Sequence, residues 1–244
     1  MPNNVTRPIR QSLSNFSTAG SVDLFASVGN TPLLELTTLS KLTGCKLLAK
    51  AEYANPSGSI KDRVAKSLIL DGLLKPGGTI IEATGGSTGV SLALLEASRG
   101  YKTLLTMPDN TAKEKVQMIK TMGAEVHILP TTSMSDKKNH FFHVAQRLAQ
   151  ETPNAYCTNQ FDNTANMRAH YEGTAPEIWE QAGGQIDGFV SGAGSSGPIA
   201  GMSTFLKEKN PDVKVWVIDP AEVANVAMFI NIDRSTGTIG TTMR

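Results

Sequence analysis

A chain of 244 residues is long enough for one or two domains, and folding at this length buries roughly 70–75% of the unfolded surface. With 40% hydrophobic and 18% charged residues and a formal net charge of +1, it reads as globular, with neither the basic field that nucleic acid attracts nor an acidic surface for cationic partners. Its two cysteines, Cys45 and Cys157, form no CxxC pair and suit a reducing compartment, and no apolar run reaches the ~18 residues of a membrane span. In chain order, the first 22 residues carry Arg7, Arg10 and several serines but no acid, a faint transit-peptide pattern, and residues 1–25 are expected to be a disordered N-terminus. Short apolar, β-rich runs then alternate with helical stretches. Strands are predicted at 45–53, 79–83, 102–107, 124–129, 185–190 and 213–218. Helices are predicted at 60–74, 88–99, 111–122, 137–150, 164–181 and 198–207, with Ala112, Val116, Ile119 and Met122 an example of the helical spacing. This alternation predicts an α/β fold of parallel sheets covered on both faces, with function gathered in the loops after strand C-termini. The polar stretch LPTTSMSDKKN at 129–139 reads as a candidate crossover between two lobes.

Three loops rich in Gly and Ser stand out. In NPSGSIKDRV (55–64), a lone Lys61 sits between a turn and a helix start, where it serves either a surface ion pair or chemistry. EATGGSTGVSL (82–92) leaves a strand and enters a helix, so its backbone N–H groups make an anion pocket. Its G-x-S-x-G spacing around Ser87 also fits a nucleophile elbow, but none of His127, His140, His143 and His170 follows the last predicted strand, and His170 lies inside a helical run. In SGAGSSGPIAG (191–201), Gly192, Gly194 and Gly197 satisfy G-x-G-x-x-G, and Asp219 closes the next strand, so the loop suits either a dinucleotide or a single phosphate. No metal is expected: His140 and His143 are the one histidine pair, read as a solvated helix face, and no Cys or carboxylate stands at ligand spacing. Cys157 reads as a buried structural thiol.

Taken together, these elements resemble the fold-type II pyridoxal-phosphate enzymes and, among them, the cysteine synthase (O-acetylserine sulfhydrylase) family. The likeness runs from VGNTPLLEL (28–36) to VKVWVIDP (213–220) and includes NPSGSIKDR (55–63), MPDNTAKEKVQMIKTMGAEV (107–126) and NQFDNTANMRAHYEGTAPEIW (159–179). EATGGSTGVSL, NHFFHVAQRLAQE and AHYEGTAPEIWEQ look closest to the fungal cysteine synthase-like branch. The resemblance implies a two-lobed α/β fold, apparently truncated at the C-terminus. Residues 45–150 would be a smaller mobile lobe, 26–44 and 151–220 part of a larger cofactor lobe, and 221–244 an atypical tail that lacks the family's Ser or Thr at the pyridine nitrogen. A chain so shortened is expected to be a weak catalyst or none.

For the site, the resemblance implies pyridoxal 5'-phosphate as cofactor, with Lys61 as the Schiff-base lysine that also moves the substrate α-proton. Gly194, Ser195, Ser196, Gly197 and Pro198 would cradle its phosphate, although Pro198 brings neither a hydroxyl nor an N–H to a loop that usually reads G-T-G-G-T. Ser87 would stand where the family commonly has Asn beside the cofactor's ring oxygen. Thr84, Gly85, Gly86, Ser87, Thr88 and Gln160 would bind the substrate carboxylate. The implied reaction replaces the acetoxy group of O-acetyl-L-serine with sulfide, giving L-cysteine and acetate. Alternatives are a cystathionine β-synthase-like or serine/threonine dehydratase activity, or a silent binding protein. A homodimer without membrane or nucleic-acid partner, cytoplasmic or mitochondrial, completes the expectation.

Overall fold

The computed structural model describes residues 23–72 and 74–218, and beyond them the backbone of 230–233 and 238–241. The expectations for most of the N-terminus, for Asp219 and for the side chains of the tail lie outside the described residues. The first strands and helix of the described residues are a short antiparallel pair, β1 (Leu33–Glu35) and β2 (Leu48–Lys50), flanking helix α1 (Thr37–Thr43). The predicted strand at 45–53 is therefore mostly not strand, since a 3₁₀ turn, Glu52–Ala54, takes over after β2. Helix α2 (Lys61–Asp71) follows.

Next come β3 (Thr79–Ala83), α3 (Ser87–Arg99), β4 (Lys102–Pro108), α4 (Lys113–Thr121), β5 (Glu125–Leu129), α5 (Phe141–Glu151) and β6 (Ala155–Cys157). These strands form one all-parallel sheet in the order β5-β4-β3-β6. Period-2 alternation divides its core: Ile80 and Leu105 pack with Val90, Leu92, Leu95 and Ile119 on one face, whereas Ile81 and Leu104 pack with Phe142 and Ala145 of α5 on the other. Segment 129–139 is thus no passage between lobes. It leads from edge strand β5 to α5, which crosses the same sheet to the opposite edge, β6.

The predicted helix at 164–181 is interrupted. Helix α6 (Ala165–Ala169) passes into a π turn, His170–Thr174, and on into α7 (Ala175–Gln181). The wide turn lies where α8 (Gly197–Lys209) comes closest, because a Cβ at Gly201 would stand 2.5 Å from the Met167 carbonyl oxygen and 2.7 Å from the Tyr171 nitrogen. Parallel strands β7 (Gly188–Gly192) and β8 (Lys214–Ile218) bury Phe189 and Val215 toward Met202 and Leu206 of α8. Strands β9 (Ile230–Asp233) and β10 (Thr238–Thr241) pair antiparallel. No helix among the described residues is long and apolar enough to cross a membrane.

Candidate functional site

Turn 55–60 is fastened to α2 from within. The fully buried Asp62 carboxylate accepts the Ser57 N–H at 2.6 Å and also the Ser57 hydroxyl, while Ser59 Oγ accepts the Lys61 N–H at 2.9 Å. Gly58, at φ +81°, supplies the left-handed bend that a β-carbon would disfavour. Lys61 is thereby fixed on the first residue of α2. Its amine crosses to the loop after β7 and donates to Ser195 Oγ at 2.7 Å. Burial lowers its pKa to about 8, partly opposed by the negative charge of Glu82. Lys61 is the amine of this region that can lose its proton near neutrality, and the positive end of a helix favours that loss.

Ser195 and its neighbours form the entry to α8. Ser196 occupies the left-handed region at φ +62°, an uncommon conformation for serine, and its buried hydroxyl has no protein partner. No atom lies within 4 Å of where a Cβ on Gly194 would stand, so the backbone there is open to a ligand. Pro198 lies in the first turn of α8, where the N–H that it lacks would have had no helical acceptor, so its cost to the loop is one donor and not the helix. An unpaired buried hydroxyl, an open glycine and a helix N-terminus, reached by an amine of lowered pKa, fit the phosphate and the aldehyde of pyridoxal phosphate.

The second loop leaves β3. Gly86 takes φ +149°, open only to glycine, and a Cβ there would stand 2.8 Å from Lys115 Cδ. Thr84 Oγ1 accepts the Gly86 N–H at 3.1 Å, which leaves the Thr84 hydroxyl proton to donate elsewhere. Thr88, by contrast, donates its hydroxyl to Gln160 Oε1 at 2.7 Å, and Gln160 Nε2 donates to the Ala83 carbonyl at 3.3 Å. One amide hydrogen of Gln160 is left over. Thr84, Gly86, Thr88 and Gln160 therefore converge beside β3, with Gly85 and Ser87 exposed at the rim. A hydrolase is not assembled around Ser87: the candidate base His170 is fully buried and linked by Nδ1 to Thr174 Oγ1 at 2.9 Å, and its pKa is lowered to about 3 by burial and the charges of Lys61 and Arg63.

Two further expectations need correction. His140 is no solvated helix residue but the buried N-cap of α5, where Nδ1 accepts the Phe142 N–H at 3.3 Å. Cys157 is only half-buried on edge strand β6, yet burial and the nearby Glu82 push its thiol up to about 12, which removes it as a nucleophile.

No motif gives Glu82 a role: it is the one acid in TIIEA, and its partners Thr158 and Gln160 stand 76 and 78 residues away. The strand is covered on both faces, so the carboxylate is fully buried. Its Oε2 accepts the Thr158 hydroxyl and, at 3.1 Å, the Gln160 N–H, while Oε1 has no partner. Burial raises its pKa to about 7 despite those hydrogen bonds. Because the folded value exceeds the unfolded 4.5, the contribution of Glu82 to stability is fully present below pH 4.5 and is lost as pH rises through 7. The stability difference between wild type and Glu82→Gln is expected to shift by about 3 kcal/mol against wild type from pH 4.5 to 8, as read from denaturant titrations. A flat difference would show that the group does not take up a proton on folding.

Residues 24–242 match the family model of the pyridoxal-phosphate dependent enzymes. The chain is 51% identical over 211 residues to a cysteine synthase of Dictyostelium discoideum, covering 85% of this chain and 56% of that protein. It is 44% identical over 217 residues to cysteine synthase 1 of the fungus Neurospora crassa, covering 86% of this chain and 57% of that protein. Among solved structures, that of an O-ureido-L-serine synthase matches with a TM-score of 0.78 at 34% identity, over 85% of this chain and 66% of the other. The chain spans little more than half the length of the two cysteine synthases.

Proposed function

The chain belongs to the pyridoxal-phosphate-dependent enzyme family, and from that premise we propose that it catalyses β-replacement on O-acetyl-L-serine, in which sulfide displaces acetate to give L-cysteine. The observation that carries this reading is the 2.7 Å hydrogen bond from Lys61 Nζ to Ser195 Oγ, because it joins an amine of lowered pKa to the glycine- and serine-rich loop at the N-terminus of α8. Ser195, Ser196 and the α8 N-terminus would hold the phosphate of the cofactor, and Lys61 would bond it covalently. When bound, pyridoxal phosphate supplies the electron sink that lets an amino acid release its α-proton and its β-substituent.

The protein's own part follows from its donors. The free Thr84 hydroxyl, the remaining Gln160 Nε2 hydrogen and the backbone N–H groups of loop 84–88 would bind the substrate carboxylate, with Thr88 acting through Gln160. Lys61 Nζ would take up the α-proton and return it once acetate has left the β-carbon and sulfide sulfur has bonded there. Ser87, at the rim of the loop, would face the ring of the cofactor. We read the four-stranded sheet with its helices as the smaller lobe and the β7–β8 sheet with α7 and α8 as part of the larger one.

Sulfide-dependent release of acetate from O-acetyl-L-serine, measured on the purified protein with and without added pyridoxal phosphate, tests the proposal. Release is expected only with the cofactor present. Saturable binding of NAD or NADP in place of the pyridoxal cofactor would overturn it, since cradle 191–201 would then hold a dinucleotide.

A further inference from the structure

Resting on the function proposed above, we infer that Asn166 is the positioning residue that turns the Ser195 hydroxyl into a fixed donor toward the cofactor phosphate. Asn166 lies in α6, 29 residues from Ser195 in sequence, and only 2% of it is exposed. Its Nδ2 donates to the Gln160 carbonyl at 3.0 Å and to Ser195 Oγ at 2.9 Å. The first of these settles which way the amide points, because a carbonyl can only accept and the atom facing it has to carry hydrogen. With both Nδ2 hydrogens engaged, Oδ1 is turned toward the start of α8, where it is buried without a partner and where an added Cβ on Gly197 would collide with it. The amide is thus locked in a single orientation.

The consequence falls on Ser195. A hydroxyl has two acceptor positions and one proton, and here Lys61 Nζ and Asn166 Nδ2 occupy both acceptor positions. The Ser195 proton has to be given to a third group, and what the open loop around Gly194 admits is an external acceptor such as a phosphate oxygen. Of the two donors, Lys61 has chemistry of its own to perform. Asn166 has none, and it alone keeps the hydroxyl aimed while Lys61 is occupied. The residue thereby also ties the carboxylate side of the site, through Gln160, to the phosphate side.

Discrimination between pyridoxal phosphate and pyridoxal, taken as the ratio of their dissociation constants for adduct formation at Lys61 from visible absorbance, reads the hydroxyl's contribution to phosphate binding. Ser195→Ala and Asn166→Ala are each expected to lower that ratio about tenfold, as the loss of a hydrogen bond to a charged group allows. In the Ser195→Ala background, Asn166→Ala is expected to change the ratio no further, because its effect passes through the serine. The isosteric Asn166→Asp, which offers Ser195 an acceptor in place of a donor, is expected to lower the ratio beyond either alanine variant. The inference is overturned by an unchanged ratio in Ser195→Ala, by an unchanged ratio in folded Asn166→Asp, or by equal losses for both ligands, which would mark Asn166 as a packing residue. If wild type forms no adduct with either ligand, the function proposed above falls, and this inference with it.

Discussion

Lys61→Ala is expected to abolish covalent retention of pyridoxal phosphate and to lower the acetate-releasing rate by a factor of about 10²–10⁴, the range that a positioned proton-transfer group contributes. Two features of the site make this loss large. Lys61 is held at the first residue of α2 by a turn that Asp62 fastens from below, so a neighbouring amine cannot take its place without unmaking that turn. Burial brings its pKa down to about 8, so the neutral form needed for bonding a carbonyl and taking a proton is accessible near neutral pH. Lys61→Arg keeps a cation of similar reach but one that does not deprotonate, and it is expected to fail as completely as alanine. Borohydride reduction of the loaded protein followed by peptide mapping checks the assignment. A reduced adduct on another lysine, or a rate for Lys61→Ala within tenfold of wild type, would refute it.

What could be read from the sequence was what the chain writes locally. NPSGSIKDR places a lysine at a helix start because the Gly58 bend and the helix that follows are neighbours in sequence, and both glycine-rich loops sit between a strand and a helix that their own residues announce. Groups that act across the fold left no such mark. Asn166 reads as one polar residue on a helix, and its meaning comes from Ser195, 29 positions away. Glu82 is one acid in a short strand, and its partners Thr158 and Gln160 stand 76 and 78 residues away. Strands β1 and β6 have three residues each, too few for alternation to register, and β6 gains its place by lying beside β3. The π turn at 170–174 has a local cue in Gly173 and Pro176, since a proline offers no N–H to the Glu172 carbonyl four residues earlier, but the helical spacing on either side masks it; its partner cue is Gly201 on another helix.

A polar cluster around Arg63 ties distant parts of the chain to the helix that carries Lys61, and its loss is expected to weaken the fold. Arg63 stands two residues after Lys61, is 5% exposed, and binds two carboxylates: Glu177 of α7 at 2.7 and 2.8 Å and Glu52 of the 3₁₀ turn at 2.7 and 2.9 Å. Lys50 adds a bond to Glu177 at 2.9 Å, the Asn30 N–H another at 2.9 Å, and Thr31 donates to Glu52 at 2.6 Å. Three separate segments, around residues 30–31, 50–52 and 177, are thus pinned to the start of the helix that carries Lys61. Replacing Arg63 with methionine keeps most of the packing volume but leaves two carboxylates facing each other with only Lys50 as a counter-charge. A buried ion pair deprived of one partner costs about 3–5 kcal/mol, which for a chain of this size lowers Tm by roughly 10 °C.

The pH dependence tells this cluster apart from generic packing loss. Burial alone would raise the Glu177 pKa, but hydrogen bonds from Arg63, Lys50 and the Asn30 N–H hold it down at about 2. A depressed carboxylate contributes stability that is present above its unfolded value of 4.5 and is lost as pH falls through 2. Wild type is therefore expected to lose stability steadily between pH 4.5 and 2 on this account, and Arg63→Met to lose much less over the same interval, because most of its deficit is already present at neutral pH. Denaturant titrations of both proteins across that range decide the matter: parallel curves, offset by a constant, would mean that Arg63 stabilises the fold by filling space and not by holding Glu177 charged.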